Sequence, residues 1–276
     1  RQYANTEQWQ LAKKCYHQIL QAQPQNNEAL NFYTKLGNAL RESGQFKDAI
    51  DCFKRVLAVN PKDANVYNDL GIVFCYQNQF PNAIECFQQA LSLNPNDVNA
   101  HYNLGIVFKE QAQFEQAIDC YQKALNLKPD YVEAYNNLGM VFYQQGQLTE
   151  AIECYQQALV YKPQYAEAHN NLGVALRNQQ KWAEAIHCFQ QALTFNPNYA
   201  EAYNNLGDTL RKCDRIAEAI ELLKRALVLN PNYAKAHYNL GCAYQKMGQL
   251  NEALRCFQTT LTLNPSDVEA YNEQGC

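Results

Sequence analysis

Apolar residues recur along this chain at spacings of three and four. In one stretch Leu104, Val107 and Phe108 mark a first apolar stripe, and Ala117, Ile118, Tyr121 and Leu125 mark a second. Such spacing puts apolar side chains on one face of an α-helix, so the stretch predicts two amphipathic helices. The pattern then repeats. From Leu30 to Asp267 the chain aligns with itself at a period of 34 residues, in seven copies without insertion or deletion. Every copy has Leu-Gly at its seventh and eighth positions, from Leu36-Gly37 to Leu240-Gly241, and Ala at its twentieth, from Ala49 to Ala253. An aromatic residue follows four positions later in six copies (Phe53, Phe87, Tyr121, Tyr155, Phe189 and Phe257), with Leu223 in the remaining one. A proline closes each copy, from Pro61 to Pro265.

Glycine in a helix interior costs up to about 1 kcal/mol relative to alanine, so its recurrence at the eighth position requires a packing reason. Close approach of the two helices of a pair supplies one. Turns are expected at Gly44, Gln79, Gly146 and Gly248, with Asp63, Asp97, Asn198 or Asn232 capping the helix that follows. Residues 1–29 read as a degenerate half repeat through Ala12, Cys15, Tyr16, Ile19 and Pro24, and residues 268–276 as the start of an eighth repeat. The missing initiator Met and the unfinished last repeat suggest a piece of a longer protein, in which a targeting signal or a further domain is open.

The Leu-Gly, Ala, aromatic and Pro positions at this period resemble the tetratricopeptide repeat, over nearly the whole chain. The fourth position departs from that pattern, with Tyr33, Tyr67, Tyr135 and Tyr203 interspersed with His101, His169 and His237 in place of Trp. The resemblance implies an all-α fold, a right-handed superhelical solenoid of antiparallel helix pairs, that binds other proteins or peptides.

Composition narrows the remaining classes. With 47% hydrophobic and 18% charged residues the chain has material for a packed core. A formal net charge of −4 gives no basis for wrapping phosphate backbones or lying on anionic lipid, so neither nucleic acid nor membrane is an expected partner. No apolar run approaches membrane-spanning length, and the start Arg1-Gln2-Tyr3 is no signal peptide. Eleven cysteines include seven at one repeat position: Cys15, Cys52, Cys86, Cys120, Cys154, Cys188 and Cys256. Equivalent points on stacked helices lie about 8–10 Å apart, beyond disulfide reach, so reduced thiols and a cytoplasmic setting are expected.

Catalytic chemistry finds no foothold, and neither a cofactor nor enzymatic activity is expected. The chain has no Gly-rich phosphate loop, no paired-histidine zinc motif and no serine-nucleophile elbow. His187 and Cys188 are neighbours, which point about 100° apart on a helix. The three fourth-position histidines stand two repeats apart, too far to share a metal. They read as core-edge substitutes for Tyr. Tyr131, Tyr165, Tyr199 and Tyr233, each two residues after a closing proline, read as staples of the inter-repeat loop.

By resemblance, the second, fifth, sixth, ninth, twelfth and thirteenth positions of each first helix line a concave groove. The sixth position carries Asp69, Asn103, Asn137, Asn171, Asn205 and Asn239, and the fifth carries Asn68, Tyr102, Asn136, Asn170, Asn204 and Tyr238. Mid-helix Asn is a poor helix former, so this ladder requires either an inter-repeat hydrogen bond or a ligand. Side-chain amides complement an extended peptide backbone, and the ladder is similar to that in the repeat superhelix of protein O-GlcNAc transferases, which holds substrate peptides by their main chain. Glu133, Glu167 and Glu201 at the second position and Lys109, Arg177 and Arg211 at the twelfth form acidic and basic rails, or simply follow the helix macrodipole. The chaperone-tail clamp of another family subgroup is not matched, since its positions here are Thr34, Asn38, Asp69, Asn99 and Asn103. The expected function is a scaffold that holds an extended peptide or partner protein. The alternatives are the substrate-recruiting region of a larger protein glycosyltransferase, or an array that self-associates through uncapped terminal helices.

Overall fold

The computed structural model describes residues 26–266 together with residues 18, 19, 22, 23, 268, 270 and 271. Expectations that fall on Ala12, Cys15, Tyr16, Pro24 and the last five residues lie outside the described residues. Among the described residues there are fourteen α-helices and no strand. They are α1 (Asn27–Glu42), α2 (Phe46–Val59), α3 (Ala64–Tyr76), α4 (Phe80–Leu93), α5 (Val98–Glu110), α6 (Phe114–Leu127), α7 (Val132–Gln144), α8 (Leu148–Tyr161), α9 (Ala166–Asn178), α10 (Trp182–Phe195), α11 (Ala200–Lys212), α12 (Ile216–Leu229), α13 (Ala234–Lys246) and α14 (Leu250–Leu263). The helices pair in chain order and fall into two compact units, one ending at Pro129 with α1 to α6 and one beginning at Asp130 with α7 to α14.

Pairing follows from the small residues. A Cβ on Gly173 would stand 2.7 Å from the Phe189 ring, and across the seven pairs the nearest atom of the facing aromatic or Leu223 would stand at 2.6 to 2.8 Å. Only glycine permits that approach. The twentieth-position alanines are buried in all seven pairs and the facing aromatics fill the core between the helices. Within each unit the second helix of one pair packs on the first helix of the next, and successive first helices also touch. Second helices show no comparable packing on one another among the described residues. The first helices therefore form the inner side of each stack and the second helices the outer.

Turn and cap chemistry departs from expectation at named positions. The reversal inside each pair sits at the fifteenth position, in left-handed backbone: Gly44, Gly146 and Gly248 at φ 76, 76 and 74°, and Asn78, Ala112, Gln180 and Asp214 at φ 55 to 63°. The next residue bonds back to the carbonyl five residues earlier, as in Gln45 N to Leu40 O at 2.8 Å and Lys181 N to Leu176 O at 3.0 Å, which closes a Schellman loop. The turn residue expected at Gln79 is thus Asn78, and Gln79 begins α4 as its N-cap. Asp63 and Asp97 cap α3 and α5 as expected. Asn198 and Asn232 do not cap; Tyr199 and Tyr233 hold the N-cap positions of α11 and α13 without a side-chain bond. The Asn198 and Asn232 amides bond instead to Asn196 and Asn230 Oδ1 at 3.2 Å, inside the loop. Helix α1 starts three residues before the period does, because Asn26 accepts a hydrogen bond from Ala29 N.

Candidate functional site

Four of the five sixth-position asparagines bond to the fifth-position asparagine of the preceding repeat. In the second unit Asn171 Nδ2 donates to Asn136 Oδ1 at 3.0 Å, Asn205 to Asn170 at 3.0 Å and Asn239 to Asn204 at 2.8 Å. In the first unit Asn103 donates to Asn68 at 3.0 Å, and Asp69 accepts from Asn38 Nδ2 at 3.0 Å. These bonds join successive first helices and offset the poor helix propensity of Asn. They also consume much of the amide capacity expected for a ligand. Asn136, Asn170, Asn204, Asn205 and Asn239 are buried, and Asn239 also lines a cleft between α9, α11 and α13. Asn103, Asn137 and Asn171 are half-buried.

The two charged rows behave differently. Glu133, Glu167 and Glu201 are exposed. On the basic side, Lys109 pairs with its neighbour Glu110 at 3.3 Å. Arg177 and Arg211 converge on Asp208 at the ninth position of the sixth repeat: Arg177 Nη1 lies 3.3 Å from Oδ2 and Arg211 Nη2 lies 2.6 Å from Oδ1. The three side chains are only 12, 17 and 10% exposed, and Lys212 Nζ stands 3.6 Å from the same carboxylate. Sequence reasoning missed Asp208. Its signal was a charge where other repeats place Ile72, Ile106, Met140 and Val174.

These groups border a cleft of about 700 Å³ between α9, α11 and α13, to which Lys235 and Tyr233 also contribute. Burial, followed by the nearby Glu201 carboxylate, pushes the Tyr233 hydroxyl up to about 12 despite the Arg177 charge, so it stays a neutral donor.

Elsewhere the chemistry is structural. His101, His169 and His237 each have Nε2 at 2.9 Å from a closing-proline carbonyl, those of Pro95, Pro163 and Pro231, and since a carbonyl only accepts, Nε2 carries the proton. Tyr165 packs on Val132, Ala158 and Ala168 and donates to Glu167 at 2.9 Å, tying loop to helix. Cys86, Cys120, Cys154, Cys188 and Cys256 are free thiols. Burial pushes them up, Cys86, Cys120 and Cys154 to about 12 and Cys188 and Cys256 to about 11. His187 is exposed while Cys188 is buried, so the two make no catalytic pair. Among the described residues no group of three metal-ligating side chains converges, and no helix is long and apolar enough to cross a membrane.

A TPR repeat profile matches residues 37–75, 72–112, 107–146, 139–180 and 207–248, and tetratricopeptide repeat profiles match 166–199, 188–221 and 234–267. No curated protein sequence matches the chain significantly. Among solved structures, the APC/C hetero-tetramer Cut9-Hcn1 is similar at 24% identity and TM-score 0.74, over 97% of this chain and 52% of that one. This chain thus spans about half the length of that relative. Pseudomonas aeruginosa pilF is similar at 21% identity and TM-score 0.69, over 77% of this chain and 96% of its own. YrrB, a TPR protein with an unusual peptide-binding site, is similar at 24% identity and TM-score 0.55, over 70% of this chain and 100% of its own. Profile matches across seven repeats, on helix pairs closed by the Gly-aromatic contact, lead to one conclusion: the chain belongs to the tetratricopeptide repeat family.

Proposed function

We propose that the protein is a protein–protein interaction scaffold that receives an extended peptide or partner segment along the inner face of its first helices. The observation that carries this reading is the cleft between α9, α11 and α13, whose volume of about 700 Å³ falls within the usual range of ligand sites. Half-buried Asn103 with Lys109 in the first unit, and half-buried Asn137 and Asn171 with Arg177 and Arg211 in the second, are the contacts proposed from the inner face of each unit. Cut9 assembles with Hcn1, and YrrB has a peptide-binding site; a use of the same kind is proposed here. The glycosyltransferase-fused alternative rests on the ladder alone, whose amides are largely joined to one another.

The test is selection of a binding peptide from a random library, followed by photo-crosslinking from single probe positions. A photoreactive residue at Val174, on α9, captures the peptide, and one at Val228, on α12 and 68% exposed, does not. Equal capture at both positions refutes an inner-face site. A second reading, self-association, is favoured by Leu250 and Leu254 on α14, which are 66% and 40% exposed. Light scattering across concentration tests it: mass that rises with concentration and falls back on Leu250→Glu supports it, and a constant monomer mass ends it.

A further inference from the structure

We infer that the segment held at the cleft between α9, α11 and α13 is acidic, and that its side-chain carboxylates are the groups recognised. This rests on the scaffold reading and specifies its ligand. Among the described residues that border the cleft, four side chains are cationic, Arg177, Arg211, Lys212 and Lys235, and one, Asp208, carries a carboxylate. Arg211 Nε is buried and has no hydrogen-bond partner. A buried donor of that kind is costly unless an acceptor is brought to it.

The macrodipole accounts for part of this charge but not all of it. Arg177 lies in the last turn of α9, and Arg211 and Lys212 lie in the last turn of α11, where cations are favoured. Lys235 lies in the first turn of α13, where a cation is disfavoured and where the three preceding repeats carry Glu133, Glu167 and Glu201. The sign of the second position therefore inverts at the repeat that completes the cleft. Asp208 already shows what these guanidiniums hold, a carboxylate at 2.6 and 3.3 Å. Their low exposure reduces solvent screening, which strengthens attraction for a further anion.

The experiment uses fluorescein-labelled peptides and anisotropy on the whole chain. The probes are hexaglutamate with an amidated C-terminus, amidated hexaglutamine, hexaglutamine with a free C-terminal carboxylate, and amidated hexaglutamine bearing one phosphoserine in place of a central residue. Amidated hexaglutamate is expected to bind at least about tenfold more tightly than amidated hexaglutamine, with affinity falling as salt rises. Lys235→Glu, which installs the residue of the neighbouring repeats and suits the helix dipole, is expected to keep the circular dichroism spectrum and weaken hexaglutamate by about tenfold or more. Equal affinity for the glutamate and glutamine peptides overturns the inference, as does a Lys235→Glu variant with unchanged affinity. Binding only of the free-terminus or phosphorylated peptide overturns the assignment to side-chain carboxylates. If library selection instead yields neutral peptides that crosslink at Val174, the scaffold reading stands and the acidic-ligand inference falls.

Discussion

Replacing Asn205 by Ala probes the ladder at its most enclosed rung. Asn205 is 2% exposed and its partner Asn170 is 0% exposed, and the bond between them is 3.0 Å. Truncation strands the buried Asn170 Oδ1, which costs about 1–3 kcal/mol, whereas Ala gains up to about 0.7 kcal/mol as a helix former. The net expectation is a loss of about 0.5–2.5 kcal/mol, or a melting midpoint lowered by about 1–8 °C for a chain of this size. Circular dichroism melting reads the midpoint, and native-state hydrogen exchange across α9 and α11 reads whether the loss is local, as nearest-neighbour coupling in a repeat array requires. Adding Asn170→Ala removes the stranded acceptor, so the double mutant should lose less than the sum of the two single losses. A single mutant that melts at or above the parent, or a strictly additive double mutant, refutes the claim that the ladder couples neighbouring repeats.

Packing sets four further outcomes. Gly173→Ala puts a Cβ 2.7 Å from the Phe189 ring and should destabilise by about 1–3 kcal/mol despite the better helix propensity of Ala; an unchanged denaturation midpoint contradicts the close-approach account. Ala112→Gly should instead stabilise by about 0.5–1 kcal/mol, because Ala112 holds φ at 55°, where an L side chain is penalised; urea denaturation checks the direction. The thiols of Cys86, Cys120 and Cys154 are pushed from 9.0 to about 12 by burial, so at pH 8 they should react with iodoacetamide far more slowly in the folded protein than in denaturant. Because their folded values lie above the unfolded one, the stability they contribute is intact below pH 9 and is lost as pH rises from 9 towards 12, which a melting series across that range reads.

Periodicity alone disclosed the helix pairs, since each apolar stripe and each Leu-Gly reports a local requirement of its own helix. The turn at Asn78 was mistaken for Gln79 because the loop is set by which residue enters left-handed backbone, and Asn tolerates that conformation without the glycine that marks Gly44 and Gly146. The ladder was legible as an anomaly, mid-helix Asn in successive repeats, but its acceptor was not. Donor and acceptor lie 35 residues apart, and no single-repeat reading connects the sixth position with the fifth position of the copy before. The pairing of Arg177 with Asp208 escaped for the same reason, as it joins two repeats. The sequence showed the basic residues as a row, and stacking turned part of that row into a cluster.

The rung geometry also bears on how such a chain can change length. In the fifth and sixth repeats each copy carries both halves of the connection, an acceptor at its fifth position (Asn170, Asn204) and a donor at its sixth (Asn171, Asn205). A cassette of 34 residues taken from this region presents to its new neighbours the same donor and acceptor it presented to the old ones. Excising or duplicating one such cassette in register therefore rejoins the ladder, whereas a cut that breaks the period leaves the donor and acceptor unmatched at the junction, while each intact repeat beyond it keeps its own Gly-aromatic contact.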